Sequence, residues 1–198
     1  MSDFAGRQWL ALHAAMETLN RAPSTLAAMN RAAALVADTL RAGGTVFACG
    51  NGGSYAQAAH LVAELSGKYG KLRLSWPAEH IGACGAELTC IANDLEYSAV
   101  FSRAVYARAK PGDCLVGLTT SGNSANVLKA LVCVPSDVRT IAITGRAGLR
   151  LPGGGGVDVE VRVPSDDTGT VQVVTLLAIH AIAEAADAVV YEGAGGTP

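Results

Sequence analysis

Apolar positions follow a helical period over the first forty residues and then change to short unbroken runs. Phe4, Trp9, Leu10, Leu12, Met16 and Leu19 have roughly the spacing of an amphipathic helix over residues 2–20. Pro23-Ser24 restarts the chain, with Ser24 the expected N-cap. A second helix, rich in alanine and leucine, is expected over 25–41 and stops at Gly43-Gly44. This hairpin has too little core to stand alone, so it must pack on the rest of the chain or on another subunit. Beyond it, residues 45–49, 114–119, 139–144 and 157–163 read as apolar strands, and 78–84 as a further short one. Helices are expected over 54–66, 97–109 and 168–190, and another out of "TSGNSANVLKALV". Apolar strands alternating with helices predict an α/β fold, with a parallel sheet covered on both faces. Gly153–Gly156 reads as a flexible turn and "EGAGGTP" as a frayed end. The expected organisation is one domain over 1–198: a helical hairpin (1–42), an α/β core (43–190) and a tail (191–198).

Composition agrees with a compact chain. Of 198 residues, 50% are hydrophobic and 16% charged, which argues against disorder. A net charge of −2 without a basic block gives no reason to expect nucleic-acid binding. No run of 18 apolar residues occurs, and the N-terminal stretch lacks the apolar segment of a signal peptide, so no membrane association is expected. The cysteines are odd in number and show no CxxC spacing. They are expected to be small buried residues in a reducing cytoplasm rather than a disulfide framework or zinc ribbon.

Two strand-to-helix corners carry candidate chemistry. "CGNGGS" (Cys49–Ser54) and "TTSGNS" (Thr119–Ser124) each join an apolar run to a helical pattern. In an open parallel sheet, ligands bind where strands end and helices begin. Helix N-termini offer free N–H groups and partial positive charge to anions. Gly52 and Gly53 leave backbone bare for close approach. Thr119, Thr120, Ser121, Asn123 and Ser124 supply donors without a lysine, unlike a Walker A loop. A single loop of this kind is as readily an ordinary turn with a capping serine. Two of them in one sheet favour binding of a sugar phosphate.

His60 and Glu64 are spaced i, i+4 and share a helix face. Gln172 and His180, eight residues apart on the last helix, share another. Each pair interrupts an apolar stretch. A lone histidine in such a place is usually a satisfied core residue. Together these side chains suit either a four-ligand zinc site, with nitrogen and oxygen donors at about 2 Å, or a general acid and base.

The residues so far resemble a family. "AGGTVFACGNGGS", "AHLVAELSGKYG", "IANDLEYSAVFSR", "GDCLVGLTTSGNSANVLKAL", "IAITG" and "VQVVTLLAIHAIAE" are similar to the phosphoheptose isomerases of the sugar isomerase (SIS) domain superfamily, over about residues 25–190. The resemblance implies a doubly wound, flavodoxin-like domain with a five-stranded parallel sheet and an N-terminal helical hairpin. It implies a homotetramer with active sites between subunits, and conversion of D-sedoheptulose 7-phosphate to D-glycero-D-manno-heptose 7-phosphate. By motif, Thr119, Thr120, Ser121 and Ser124 hold the phosphate. Asn51, Ser54 and Asp94 contact the sugar beside Gly52 and Gly53, and Gln172 is counted with them. Glu64 moves the proton between C1 and C2, and His180 assists at the oxygens. Where such enzymes hold zinc, one ion per subunit, the ligands match His60, Glu64, Gln172 and His180. Lys68 stands where arginine is frequent.

The chain also departs from that pattern. Gln57 replaces a frequent aspartate one turn before His60, Thr170 an arginine and Val173 a glutamate, and Thr175 falls where histidine is frequent. "RAGLRLPGGGG" is irregular. These positions touch the shell around the candidate ligands. Two rival readings follow: a non-catalytic SIS module that binds a phosphosugar or a protein, and an isomerase for another sugar phosphate.

Overall fold

The computed structural model describes residues 3–21, 23–70, 72–151, 153 and 155–193. Its elements run α1 (Phe4–Arg21), α2 (Pro23–Arg41), β1 (Val46–Gly50), α3 (Gly53–Ser66), β2 (Ala78–His80), α4 (Gly85–Asp94), a 3-10 turn (Tyr97–Ala99), α5 (Ser102–Arg108), β3 (Cys114–Thr119), α6 (Ala125–Val132), β4 (Arg139–Thr144), β5 (Val159–Arg162) and α7 (Thr168–Gly193). The strands form one parallel sheet in the order β2-β1-β3-β4-β5. The order in which successive strands are added reverses between β1 and β3, whose C-terminal ends pair Gly50 with Leu118. A crevice at such a switch point is the usual ligand site of open α/β sheets.

Strand alternation sorts the core into two layers. Val46, Ala48, Cys114, Val116, Leu118, Ile141 and Ile143 pack with α2, α3 and α7. Phe47, Cys49, Leu115 and Ala142 face Phe101 and Val105 near and on α5, and Val127 and Leu131 of α6. The sheet is therefore covered on both faces, the condition under which parallel strands read as continuous apolar runs. Over Thr168–Val189, α7 is long and apolar enough to cross a membrane, but half of that stretch is buried inside the protein. It packs on α2 and α3 as a core helix.

Several expectations need correction. Helix α2 begins at Pro23, so Ser24 lies inside its first turn and is not the N-cap. Proline suits a first helical position because no N–H partner is needed there. The second strand is only Ala78–His80, since Gly82 turns away with φ +91°. The helix expected over 97–109 is a 3-10 turn followed by the shorter α5. Helix α4 was not expected at all. It buries no residue completely, so it lacks the strong apolar stripe that would announce it. Helix α7 continues to Gly193, beyond the expected start of the tail, and 194–198 lie outside the described residues. Of the Gly153–Gly156 turn, residue 154 also lies outside them.

Candidate functional site

The glycine loop after β1 is built by backbone demands. Gly52 caps α3 with φ 55° and ψ −121°, a combination almost confined to glycine. At Gly53, an added β-carbon would meet the Gln172 side chain at 2.1 Å. Gln172 therefore packs its amide on the first turn of α3. Ser54 is buried, and its backbone N–H donates to the Asn51 carbonyl at 3.0 Å.

The loop after β3 stands alongside. Thr119 is buried, and its hydroxyl shares a 2.9 Å hydrogen bond with that of Ser124. Ser124 precedes α6 but makes no side-chain capping bond. Within the first turn of α6, the Val127 N–H donates to Asn126 Oδ1 at 3.0 Å. With no capping bond from Ser124, the start of the helix keeps the partial positive charge that suits an anion. The exposed Ser121 hydroxyl accepts from the Asn123 N–H at 3.2 Å, and Thr120 is half-buried.

A reciprocal amide pair joins the two loops. Asn51 Nδ2 donates to Asn126 Oδ1 at 2.8 Å, and Asn126 Nδ2 donates to Asn51 Oδ1 at 2.9 Å. The Tyr97 hydroxyl adds a 3.0 Å bond to Asn51 Oδ1. Asn126 is only 2% exposed. Neither Asn126 nor Tyr97 was singled out by pattern, although a buried amide two residues into the "SGNSAN" helix start was a readable signal. Asp94 is not among these contacts. Its exposed carboxylate accepts from Asn93 Nδ2 at 2.7 Å and from the Cys90 thiol at 3.3 Å. The Asn93 bond, then the Cys90 bond, hold it below the usual carboxylate range.

Helices α3 and α7 bring the second cluster together. His60 Nε2 lies 3.2 Å from Glu64 Oε1, and the His60 and His180 rings are 5.5 Å apart. Tyr69, just past α3, places its ring 5.4 Å from that of His180. One ligand atom from each of His60, Glu64 and His180 lies within 4.8 Å of the others. His60 Nε2 is buried and makes no hydrogen bond. An orphaned imidazole nitrogen beside a carboxylate and a second imidazole fits a metal that prefers nitrogen and oxygen donors. Gln172 is placed differently. Its amide lies at Gly53, seven residues and about 10 Å along α3 from His60.

The replaced aspartate position has its own geometry. Gln57 Nε2 donates to the Gln172 backbone carbonyl at 2.6 Å, while its Oε1 is buried without a partner. Thr170 is buried at the head of α7, Val173 is exposed, and Lys68 is exposed beyond the end of α3.

Comparison with known proteins identifies the family and the fold. A family model described as "SIS domain" matches residues 12–145. The chain is 41% identical over 174 residues to the phosphoheptose isomerase of Serratia proteamaculans, covering 82% of this chain and 89% of the relative. Among solved structures, the phosphoheptose isomerase of Neisseria gonorrhoeae superposes with a TM-score of 0.83 at 34% identity, covering 92% and 97% of the two chains. That of Francisella tularensis gives 0.83 at 30% identity, covering 95% and 100%.

Proposed function

We propose that this chain, which belongs to the SIS domain family and within it to the phosphoheptose isomerases, converts D-sedoheptulose 7-phosphate to D-glycero-D-manno-heptose 7-phosphate. The observation that carries the reading is the approach of Glu64, on the helix that leaves the glycine loop, to the imidazoles of His60 on the same helix and His180 on α7. The substrate phosphate sits on Thr119, Thr120, Ser121, Ser124 and the N-terminus of α6. Asn51, Ser54 and the bare backbone of Gly52 and Gly53 face the sugar, with Gln172 and Asp94 as further contacts.

Glu64 removes a proton from C1 and returns it to C2, while His180 moves a proton from the C1 oxygen to the C2 oxygen. Nothing else enters or leaves, so the reaction needs no co-substrate. His60, Glu64 and His180 would hold a zinc ion, with Gln172 as the fourth ligand only if its amide leaves Gly53. Zinc bound there supplies Lewis-acid polarisation of a substrate oxygen.

The His60 side chain is 41% exposed in one chain, and proton abstraction beside a carbonyl works best away from water. This supports a homotetramer whose sites close between subunits. Cysteines without disulfides support a cytoplasmic protein.

The test is NMR of the purified protein with sedoheptulose 7-phosphate in deuterium oxide. Appearance of the aldose with deuterium at C2 is expected. The loss of an ionisable group at Gln57 favours the rival, a non-catalytic phosphosugar module. Tight binding without turnover would establish it.

A further inference from the structure

The side chain that ties the two catalytic helices together lies outside every motif. Arg73 is seven residues past the end of α3, and its side chain is 1% exposed. Its Nε donates to Asp187 Oδ1 at 2.5 Å. Its Nη2 donates to the Glu64 carbonyl at 2.8 Å and its Nη1 to the Leu65 carbonyl at 2.7 Å. Longer bonds from Nη1 reach the carbonyls of Gly67 and Leu74 at 3.3 and 3.2 Å. Glu64 and Leu65 belong to the last turn of α3, where carbonyls have no partner within the helix.

Asp187 sits on α7, seven residues beyond His180. Its second oxygen accepts from the Gly70 N–H at 2.9 Å. Gly70 follows Tyr69, whose ring lies against His180. The connection is fixed once more where Trp76 Nε1 donates to the Ala186 carbonyl at 3.1 Å. One buried ion pair therefore sets the end of α3 that carries Glu64, the α7 turns beyond His180, and the loop that carries Tyr69. A guanidinium suits this task because its donors are fixed in one plane, whereas lysine offers a single point. Such pairs are often no more stabilising than apolar substitutes, so stability alone does not account for it.

We infer that the Arg73–Asp187 pair is a positioning device, holding Glu64 and His180 in reacting geometry with Tyr69 against His180. The inference rests on the isomerase reading. Its test compares wild type with Arg73→Lys and with the double variant Arg73→Met/Asp187→Leu, which leaves no lone buried charge. Four quantities are measured: kcat and KM for sedoheptulose 7-phosphate, affinity for zinc alone by chelator competition, NOEs between the Tyr69 and His180 rings in metal-free protein, and melting temperature. Both variants are expected to lose about tenfold to a hundredfold in kcat and zinc affinity. KM should change little, because the phosphate loop lies on other elements and the sugar contacts on α3 and α7 lie at the ends of those helices remote from the pair. The ring NOEs should weaken well below the melting temperature. A lower melting temperature with wild-type kcat, zinc affinity and NOEs overturns the proposal. If wild type itself shows no turnover, the isomerase reading fails separately, and the NOEs and zinc affinity of the variants still decide the pair.

Discussion

Five cysteines in one chain have unlike fates. Cys49 and Cys114 lie in the sheet, and burial pushes the Cys49 thiol up to about 12 and Cys114 upward as well. Cys84, Cys90 and Cys133 are exposed. Cys90 is held up by its hydrogen bond to Asp94. A thiol-reactive chromophore at pH 8 should therefore label three sites in native protein, Cys90 slower than the other two, and five after denaturation. Labelling of Cys49 without unfolding would contradict the sheet. His80 gives a pH prediction. It packs edge-on to Tyr55 at 4.1 Å, and burial lowers its pKa from 6.5. Below 6.5, and down to its folded value, the unfolded chain binds the proton more readily. His80 therefore contributes stability above pH 6.5 that is lost as pH falls through that window. Urea melts from pH 8 to 5 should show a smaller loss for His80→Gln than for wild type. At the scale of single residues, the sequence made His60, Glu64 and His180 legible because each is a polar interruption of an apolar helix face. Arg73 and Asp187 were not legible: their partners are 114 positions apart, and each alone looks like a surface charge.

Elements were legible where their pattern is strong. The buried strands β1, β3 and β4 match their apolar runs, because a strand covered on both faces has no polar alternation to blur it. Helix α4 failed the same test because it is half-wet. The pairing of loops is a property of elements too, since the glycine loop and the hydroxyl loop meet only because β1 and β3 are neighbours. The Asn51–Asn126 clamp makes that meeting rigid. Asn126→Leu should leave the Asn51 amide short of partners and cost about 1–3 kcal/mol. A double-mutant cycle with Asn51→Ala, read from urea melts, should return a coupling of at least about 0.5 kcal/mol. Additive effects would mean that the two amides do not depend on each other. Phosphosugar affinity should fall in both single variants, because each loosens both loops.

At the scale of the whole molecule, an apolar face is left without cover among the described residues. Trp9, Leu12, His13 and Met16 of α1 line a groove of about 360 Å³ with Val173, Val174 and Leu177 of α7. Trp9 is 65% exposed and Leu177 44% exposed. Scattered apolar residues on a surface are ordinary, but a groove formed by two helices and lined with them is the form of an interface. The same helix α7 carries His180, so an assembly formed here bears directly on the candidate site. If the proposed tetramer uses this groove, Trp9→Glu paired with Leu177→Glu should shift multi-angle light scattering to a smaller species. Circular dichroism should keep its helical signal, because neither side chain belongs to the buried core. Isomerase activity should fall together with assembly, since His60 then stays open to water. A smaller species with full activity would separate catalysis from assembly and leave Glu64 and His180 sufficient within one chain.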